Sequence, residues 1–241
     1  MSLPIAFLAG ITGYLIGSIS FTHLVLYLCK PPAVVSSFEH HVADSKTFKS
    51  GSRGATSVRI HLGTRYGCIV GILDMLKGML PSLFFAHWQP GTPYYLIAAT
   101  LATIGHNYPL YSRFKGGRGL STIYGGFIVL DWVGVLVTNI GGILLGGLMG
   151  QALFMRYAGI LIMIPWIWFK THDMSKLVYV LVANALFWLA ILPELRQVLG
   201  LRKDKERPDE QRIAEIMGMG RIYNLVRRFR LENLIRKKKV S

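Results

Sequence analysis

LPIAFLAGITGYLIGSISFTHLVLYLC, running from Leu3 to Cys29, contains no Asp, Glu, Lys or Arg. A helix that crosses the hydrocarbon of a bilayer needs about 20 mostly apolar residues, because its backbone polar groups find no water there and must bond to each other. This run is long enough. It exceeds the apolar core of a signal peptide, has no basic stretch ahead of it and shows no clear small-residue cleavage site. It is therefore expected to stay in the protein as a membrane helix.

Similar runs recur along the chain, and spans are expected at 3–29, 67–87, 94–111, 120–137, 138–155, 157–169 and 177–193. The run 157–169 is short and needs flanking residues to complete a crossing. VLVTNIGGILLGGLMG, ending at Gly150, reads as one span or as a bend between two, and its glycines suit close helix packing. Composition agrees with a membrane chain: 52% of the 241 residues are hydrophobic and 16% charged, with a mean hydropathy of +0.41. The expected fold is all-α, a polytopic integral membrane protein of about seven transmembrane helices. Residues 1–200 form the membrane domain and 201–241 a basic tail.

Charge sets the orientation. The chain carries 27 Lys and Arg against 12 Asp and Glu, a formal net charge of +15. Lys30, Lys46, Lys49, Arg53, Arg59 and Arg65 follow the first span, and Arg113, Lys115 and Arg118 precede the fourth, whereas Trp88 to Pro93 has neither Lys nor Arg. Cationic loops stay in the cytoplasm, so both basic loops and the tail belong there and the N-terminus lies outside. Lys170 to Lys176 then falls on the outer side, against the rule, and a six-span arrangement would place it differently. No soluble domain carries the charge, so the implied partner is an anionic lipid surface and not nucleic acid. In the tail, apolar residues recur at helical spacing beside arginines, which fits a helix lying on the membrane and equally a solvated stop-transfer segment.

Cys29 and Cys68 read as apolar filler, and the adjacent His40 and His41 as loop residues. No carboxylate or histidine cluster has metal-ligand spacing, so neither a metal nor a cofactor is expected.

Three polar islands interrupt the apolar pattern. SGSRGATSVR, Ser50 to Arg59, combines small residues, hydroxyls and two arginines. Glycines let backbone N–H groups approach an anion, and Arg53 and Arg59 can add charge-assisted bonds. LDMLKGMLP, Leu73 to Pro81, places Asp74 and Lys77 one turn apart inside an apolar run. Buried charge in a span is costly and usually functional, and that reading stands slightly ahead of an intrahelical ion pair that only supports packing. GHNYPLYSRFKGGRGLST, Gly105 to Thr122, brackets two glycines with Lys115 and Arg118, and His106 and Asn107 stand at the end of a span. It is not a Walker loop, yet it offers cations and backbone donors to a phosphate. Three anion-binding elements on one face suggest a phosphorylated substrate at the cytoplasmic interface, with the spans holding an acyl chain.

The blocks GSIS (Gly17–Ser20), SGSRGATS (Ser50–Ser57), LDMLKG (Leu73–Gly78) and GHNYPLYSRFKGGRGLST occur in an order and spacing that resemble the bacterial acyl-phosphate:glycerol-3-phosphate acyltransferase family. Arg156–Tyr157 resembles a further block, and Leu231–Asn233 its C-terminal motif. The resemblance implies a seven-span enzyme of the cytoplasmic membrane with its active site at the inner face. It implies acyl transfer from acyl phosphate to the 1-hydroxyl of glycerol 3-phosphate, giving lysophosphatidic acid and phosphate. Carried over, Ser50, Gly51, Gly54 and Thr56 cradle one phosphate, together with Arg59. Lys115, Gly116, Gly117, Arg118 and Gly119 hold another, and Lys115 and Arg118 stabilise the leaving charge. His106 and Asn107 position the glycerol end, Asn233 joins the phosphate site, and Asp74 balances a buried Lys77. No Ser–His–acid arrangement is visible, so no acyl-enzyme is expected. Acyl phosphate is already activated, and positioning with electrostatic stabilisation suffices.

The chain departs from the family pattern at Ser52 and Ser57, which replace asparagines, and at Ile60, which stands where an arginine belongs. Gly159 replaces a serine and Arg230 a histidine. Two other readings compete with the first: an acyltransferase with a different acceptor, and a non-catalytic binder or transporter of phosphorylated lipid or anions.

Overall fold

A computed structural model describes residues 1–29, 38–41, 47–50, 54–203, 210–216 and 219–227. The chain runs α1 (Leu3–Gly17), α2 (Phe21–Cys29), β1 (Phe38–His41), β2 (Thr47–Ser50), α3 (Ala55–Leu62), α4 (Thr64–Trp88), α5 (Tyr94–Asn107), α6 (Leu120–Met149), α7 (Ala152–Thr171), α8 (Met174–Lys203), α9 (Glu210–Ile216) and α10 (Gly220–Arg227). Five helical stretches are long and apolar enough to cross a membrane: Leu3–Cys29, Thr64–Trp88, Leu120–Met149, Ala152–Thr171 and Met174–Arg196. The segment expected as a span at 94–111 is helical only over the 14 residues of α5 and then turns at Leu110–Ser112.

The first crossing is broken. Ser18 turns its hydroxyl back to the Tyr14 carbonyl at 2.8 Å, and the Ser20 hydroxyl accepts the His23 amide where α2 begins. Such short side chains compete with the backbone ladder and interrupt helices.

The expected division of 120–155 at residue 137 is corrected. One helical run covers Leu120–Met149, and its break falls at Asp131, whose φ of −165° and ψ of 93° are extended. Tyr124 donates its hydroxyl to Asn139 Oδ1 at 2.7 Å across 15 residues. A straight helix would separate these residues by about 22 Å along its axis. The chain therefore bends sharply at Asp131. Its carboxylate holds the bend, accepting Gly134 N–H at 3.1 Å, Trp166 Nε1 at 2.8 Å and Lys170 Nζ at 2.8 Å.

Residues 38–50 also differ from expectation. β1 and β2 pair antiparallel, with Glu39 opposite Lys49 and His40 opposite Phe48, so His40 and His41 lie on a strand and not in a loop.

Glycines set the helix contacts. A Cβ on Gly13 would overlap the Ala98 backbone, and one on Gly17 that of Ala102, which locks α1 against α5. Gly125 meets the Met75 carbonyl in the same way, bringing α6 onto α4. Close backbone approach is how membrane helices gain contact without a hydrophobic driving force. The central core joins α6, α7 and α8 through Ile123, Phe127, Ile160, Met163, Val180 and Phe187. Phe7, Ile72, Phe84, Ile140 and Phe169 point outward and are exposed, an exterior suited to hydrocarbon.

Candidate active site

A buried pair of opposite charges lies on α4. Lys77 Nζ lies 2.9 Å from Asp74 Oδ1, and both side chains are almost fully buried. Lys77 also donates to the Ile19 carbonyl at 2.7 Å, at the break between α1 and α2, and its ammonium stands 5.5 Å from the Phe21 ring centroid. Thr122 Oγ1 donates to the Asp74 carbonyl at 2.9 Å. A buried ion pair repays its desolvation only when further bonds satisfy it, and here those bonds tie α4 to the first span and to the start of α6. His106 Nδ1 faces Asp74 Oδ1 at 3.7 Å and has no closer hydrogen-bond partner.

Over this pair the loop after α5 folds back on its own helix. Gly117 N–H donates to the His106 carbonyl at 3.2 Å. A Cβ on Gly116 would overlap the His106 and Asn107 carbonyls. Gly119 has a φ of +78° and lies against the Asn107 side chain, so any larger residue there is both strained and blocked. Arg113 and Phe114 are also left-handed, with φ of 54° and 60°. His106, Asn107, Gly116, Gly117, Gly119, Asp74 and Lys77 thus form one cluster. His106 and Asn107 are buried within it, whereas Lys115 stands exposed at the loop's outer edge.

Arg118 points the other way. It is ion-paired with Glu194 of α8 and donates to the Tyr157 hydroxyl of α7 at 3.2 Å. Burial works against its charge, but Tyr157 and Glu194 outweigh that and raise its pKa further. The guanidinium bolts the loop to two helices, a role its place in FKGGRG does not suggest.

The first motif reaches the same region along α4. Gly63, with φ +93°, turns α3 back onto α4, where Gly67 lies under Arg59 and a Cβ on Gly71 would stand 3.6 Å from the Ala55 methyl. Asp74 is one turn further along. Gly54 is open to space on the Cβ side, Thr56 is half-buried, and Ser57 is buried with a hydroxyl lacking a hydrogen-bond partner. Arg59 donates to the Glu215 carbonyl of α9 at 3.2 Å. Its pKa is lowered by burial and then by the charge of Arg156. Two like charges held close favour an anion beside them. Ser50 ends β2 opposite Phe38, and Gly51 and Asn233 lie outside the described residues.

Sequence reasoning missed Glu194. The expected last span, 177–193, stops one residue short of it. A carboxylate directly after an apolar run, matched to a cation of a glycine-rich loop, was the available signal. Tyr157 had been noticed only through resemblance, and Glu215 acts through its backbone, which side-chain chemistry cannot flag.

A family model described as glycerol-3-phosphate acyltransferase matches residues 7–199. A curated glycerol-3-phosphate acyltransferase of Proteus mirabilis is 37% identical over 123 residues, 51% of each chain. One of Erwinia tasmaniensis is 38% identical over 120 residues, 49% of this chain and 53% of its own. The matched segment spans about half the length of these relatives. Two crystal structures of PlsY (YgiH), an integral membrane glycerol 3-phosphate acyltransferase, share the fold with a TM-score of 0.68. The lysophosphatidic acid form is 24% identical and aligns over 84% of this chain and 94% of its own. The glycerol 3-phosphate form is 23% identical, with 85% and 95% covered. The chain belongs to the glycerol-3-phosphate acyltransferase family.

Proposed function

We propose that this member of the family transfers a fatty acyl group from acyl phosphate to the 1-hydroxyl of glycerol 3-phosphate, releasing lysophosphatidic acid and inorganic phosphate. The observation that carries the reading is the loop from Lys115 to Gly119, folded onto His106 and Asn107 one helical turn of α4 from the Arg59 motif. Two phosphates need two cationic sites side by side, and this junction offers them beside an apolar exterior. The names of the relatives, and the glycerol 3-phosphate and lysophosphatidic acid forms of the solved structures, support the acceptor and the product.

In this reading the acceptor hydroxyl oxygen attacks the acyl carbon. The bond from that carbon to the phosphate oxygen breaks, and the hydroxyl proton leaves with the phosphate. Lys115 and the backbone N–H groups of the glycine loop stabilise the departing charge. Thr56, Ser57, Arg59 and Gly54 hold the phosphate of glycerol 3-phosphate, with Ser50, Gly51 and Asn233 completing its surroundings. His106 and Asn107 shape the floor between the two sites. Arg118, committed to Glu194, positions the loop.

The reading places seven passes in the cytoplasmic membrane, N-terminus outside and active site inside. The sharp bend at Asp131 supports this count, since it divides α6 into two arms. Asp131 pairs with Lys170 at the far end of α7, while Arg59 and Arg118 gather with the basic loops. The tail lies at the cytoplasmic surface, where exposed Ile222 and Leu225 of α10 face lipid.

Purified protein in lipid is mixed with a long-chain acyl phosphate and glycerol 3-phosphate, and phosphate and lysophosphatidic acid are followed by mass spectrometry. Acceptor-dependent formation of both supports the reading. Phosphate without lysophosphatidic acid shows a different acceptor, and no turnover overturns the enzyme.

A further inference from the structure

The matched family region ends at residue 199, and the chain continues through α9 and α10. These helices pack back onto the membrane domain. Ile213, Ala214, Met219 and Tyr223 are buried with Ala152 and Met155 of α7, and Ile60 of α3 packs against the same cluster. Val226 fills the space over Gly147. Polar contacts fix the arrangement. Glu210 accepts the Ala152 amide at 2.8 Å, capping the start of α7. Tyr223 donates to the Gly150 carbonyl at 3.4 Å.

The last turn of α9 is satisfied from two sides. The Ala214 carbonyl accepts Met219 N–H at 2.7 Å, and the Glu215 carbonyl accepts Arg59 at 3.2 Å. Carbonyls at a helix end lack intrahelical partners and attract a cation. Thus Arg59, the last residue of the first motif, and its neighbour Ile60 both contact the tail: one through a charge-assisted bond, the other through packing. Ile60 is also the position where the family pattern has an arginine.

We propose that α9 and α10 act as an intramolecular clamp on α3, setting the affinity of the Arg59 motif for the phosphate of the acceptor. Glu210, Ile213, Ala214 and the Glu215 carbonyl are its positioning elements. The inference rests on the reading that α3 serves the acceptor phosphate. Without the clamp, α3 keeps Gly63 and its packing on α4 and on Val25 and Phe21 of α2, and the Arg59 guanidinium loses the Glu215 carbonyl that helps aim it. The donor loop, bolted separately through Arg118 and Glu194, is left unaffected.

The test uses the full chain in lipid with two substitutions, Ile213→Asp and Glu210→Gln, the second removing only a capping charge. Kinetics are measured for both substrates, and hydrogen exchange is followed at amides 55–62 with α5 as control. The KM for glycerol 3-phosphate is expected to rise at least about tenfold, the low end for one lost charge-assisted bond, with kcat and the KM for acyl phosphate little changed. Exchange is expected to accelerate in α3 and not in α5. An unchanged acceptor KM, or equal losses for both substrates, overturns the clamp. If wild-type protein shows no turnover, the function reading fails alone. Exchange then decides: faster exchange in α3 supports the clamp, and unchanged exchange overturns it.

Discussion

Arg118 of the glycine-rich loop is ion-paired with Glu194 of the last long helix. The two residues are 76 positions apart in sequence, and neither is open to solvent to any large extent. The pair converts a flexible loop into a braced one, and it makes a sharp statement about what each partner does.

Glu194→Gln leaves a buried guanidinium without its counter-charge. Breaking one side of a buried pair costs about 3–5 kcal/mol. The variant is expected to melt at lower temperature in detergent and to lose most activity. The swap Arg118→Glu with Glu194→Arg recovers part of the melting temperature. A swap as unstable as the single variant would show that the pair is not what holds the loop.

Lys115 presents the opposite case, because its side chain is exposed and no span depends on it. Lys115→Ala is expected to change stability by less than about 0.5 kcal/mol while lowering kcat about 100-fold, the scale of one lost donor to developing charge. Thermal melting and phosphate release, measured on the same preparation, separate the two effects.

On α4, Lys77→Met strands Asp74 in the membrane interior, next to His106. Expression in the membrane should fall sharply, with a loss of about 3–5 kcal/mol. Asp74→Asn combined with Lys77→Met removes both charges and should recover much of that loss. Double-mutant analysis of melting temperatures reports the coupling.

The bend at Asp131 predicts a topology. Trp132 is exposed beside it, and Lys115 lies at the opposite, cationic side. In a background lacking Cys29 and Cys68, Trp132→Cys should react with a membrane-impermeant maleimide on intact cells. Lys115→Cys should react only after permeabilisation. Labelling of Lys115→Cys alone from outside would reverse the orientation, and labelling of both would show that the first arm of α6 does not cross.

Hydropathy alone determined that this chain is helical and crosses a membrane repeatedly, because apolar length is a one-dimensional property. The glycine and cation spacing of Gly105–Thr122 likewise marked the central loop, since the backbone needs glycine wherever it must approach its own carbonyls. Asp74 and Lys77 were visible because charge inside an apolar run stands out along the chain.

Other features were decided only in three dimensions. Nothing local to Asp131 announced a bend, which exists because Trp166 and Lys170, far along the chain, satisfy its carboxylate. Arg118 takes its place in the loop from Glu194, a partner 76 residues further along the chain. The contacts of the tail are likewise tertiary: Ile213 and Tyr223 are buried against α7, and the Glu215 carbonyl accepts Arg59. Each of these depends on a partner distant in sequence, and pairwise electrostatics and packing depend on separation in space, which no pattern along the chain records.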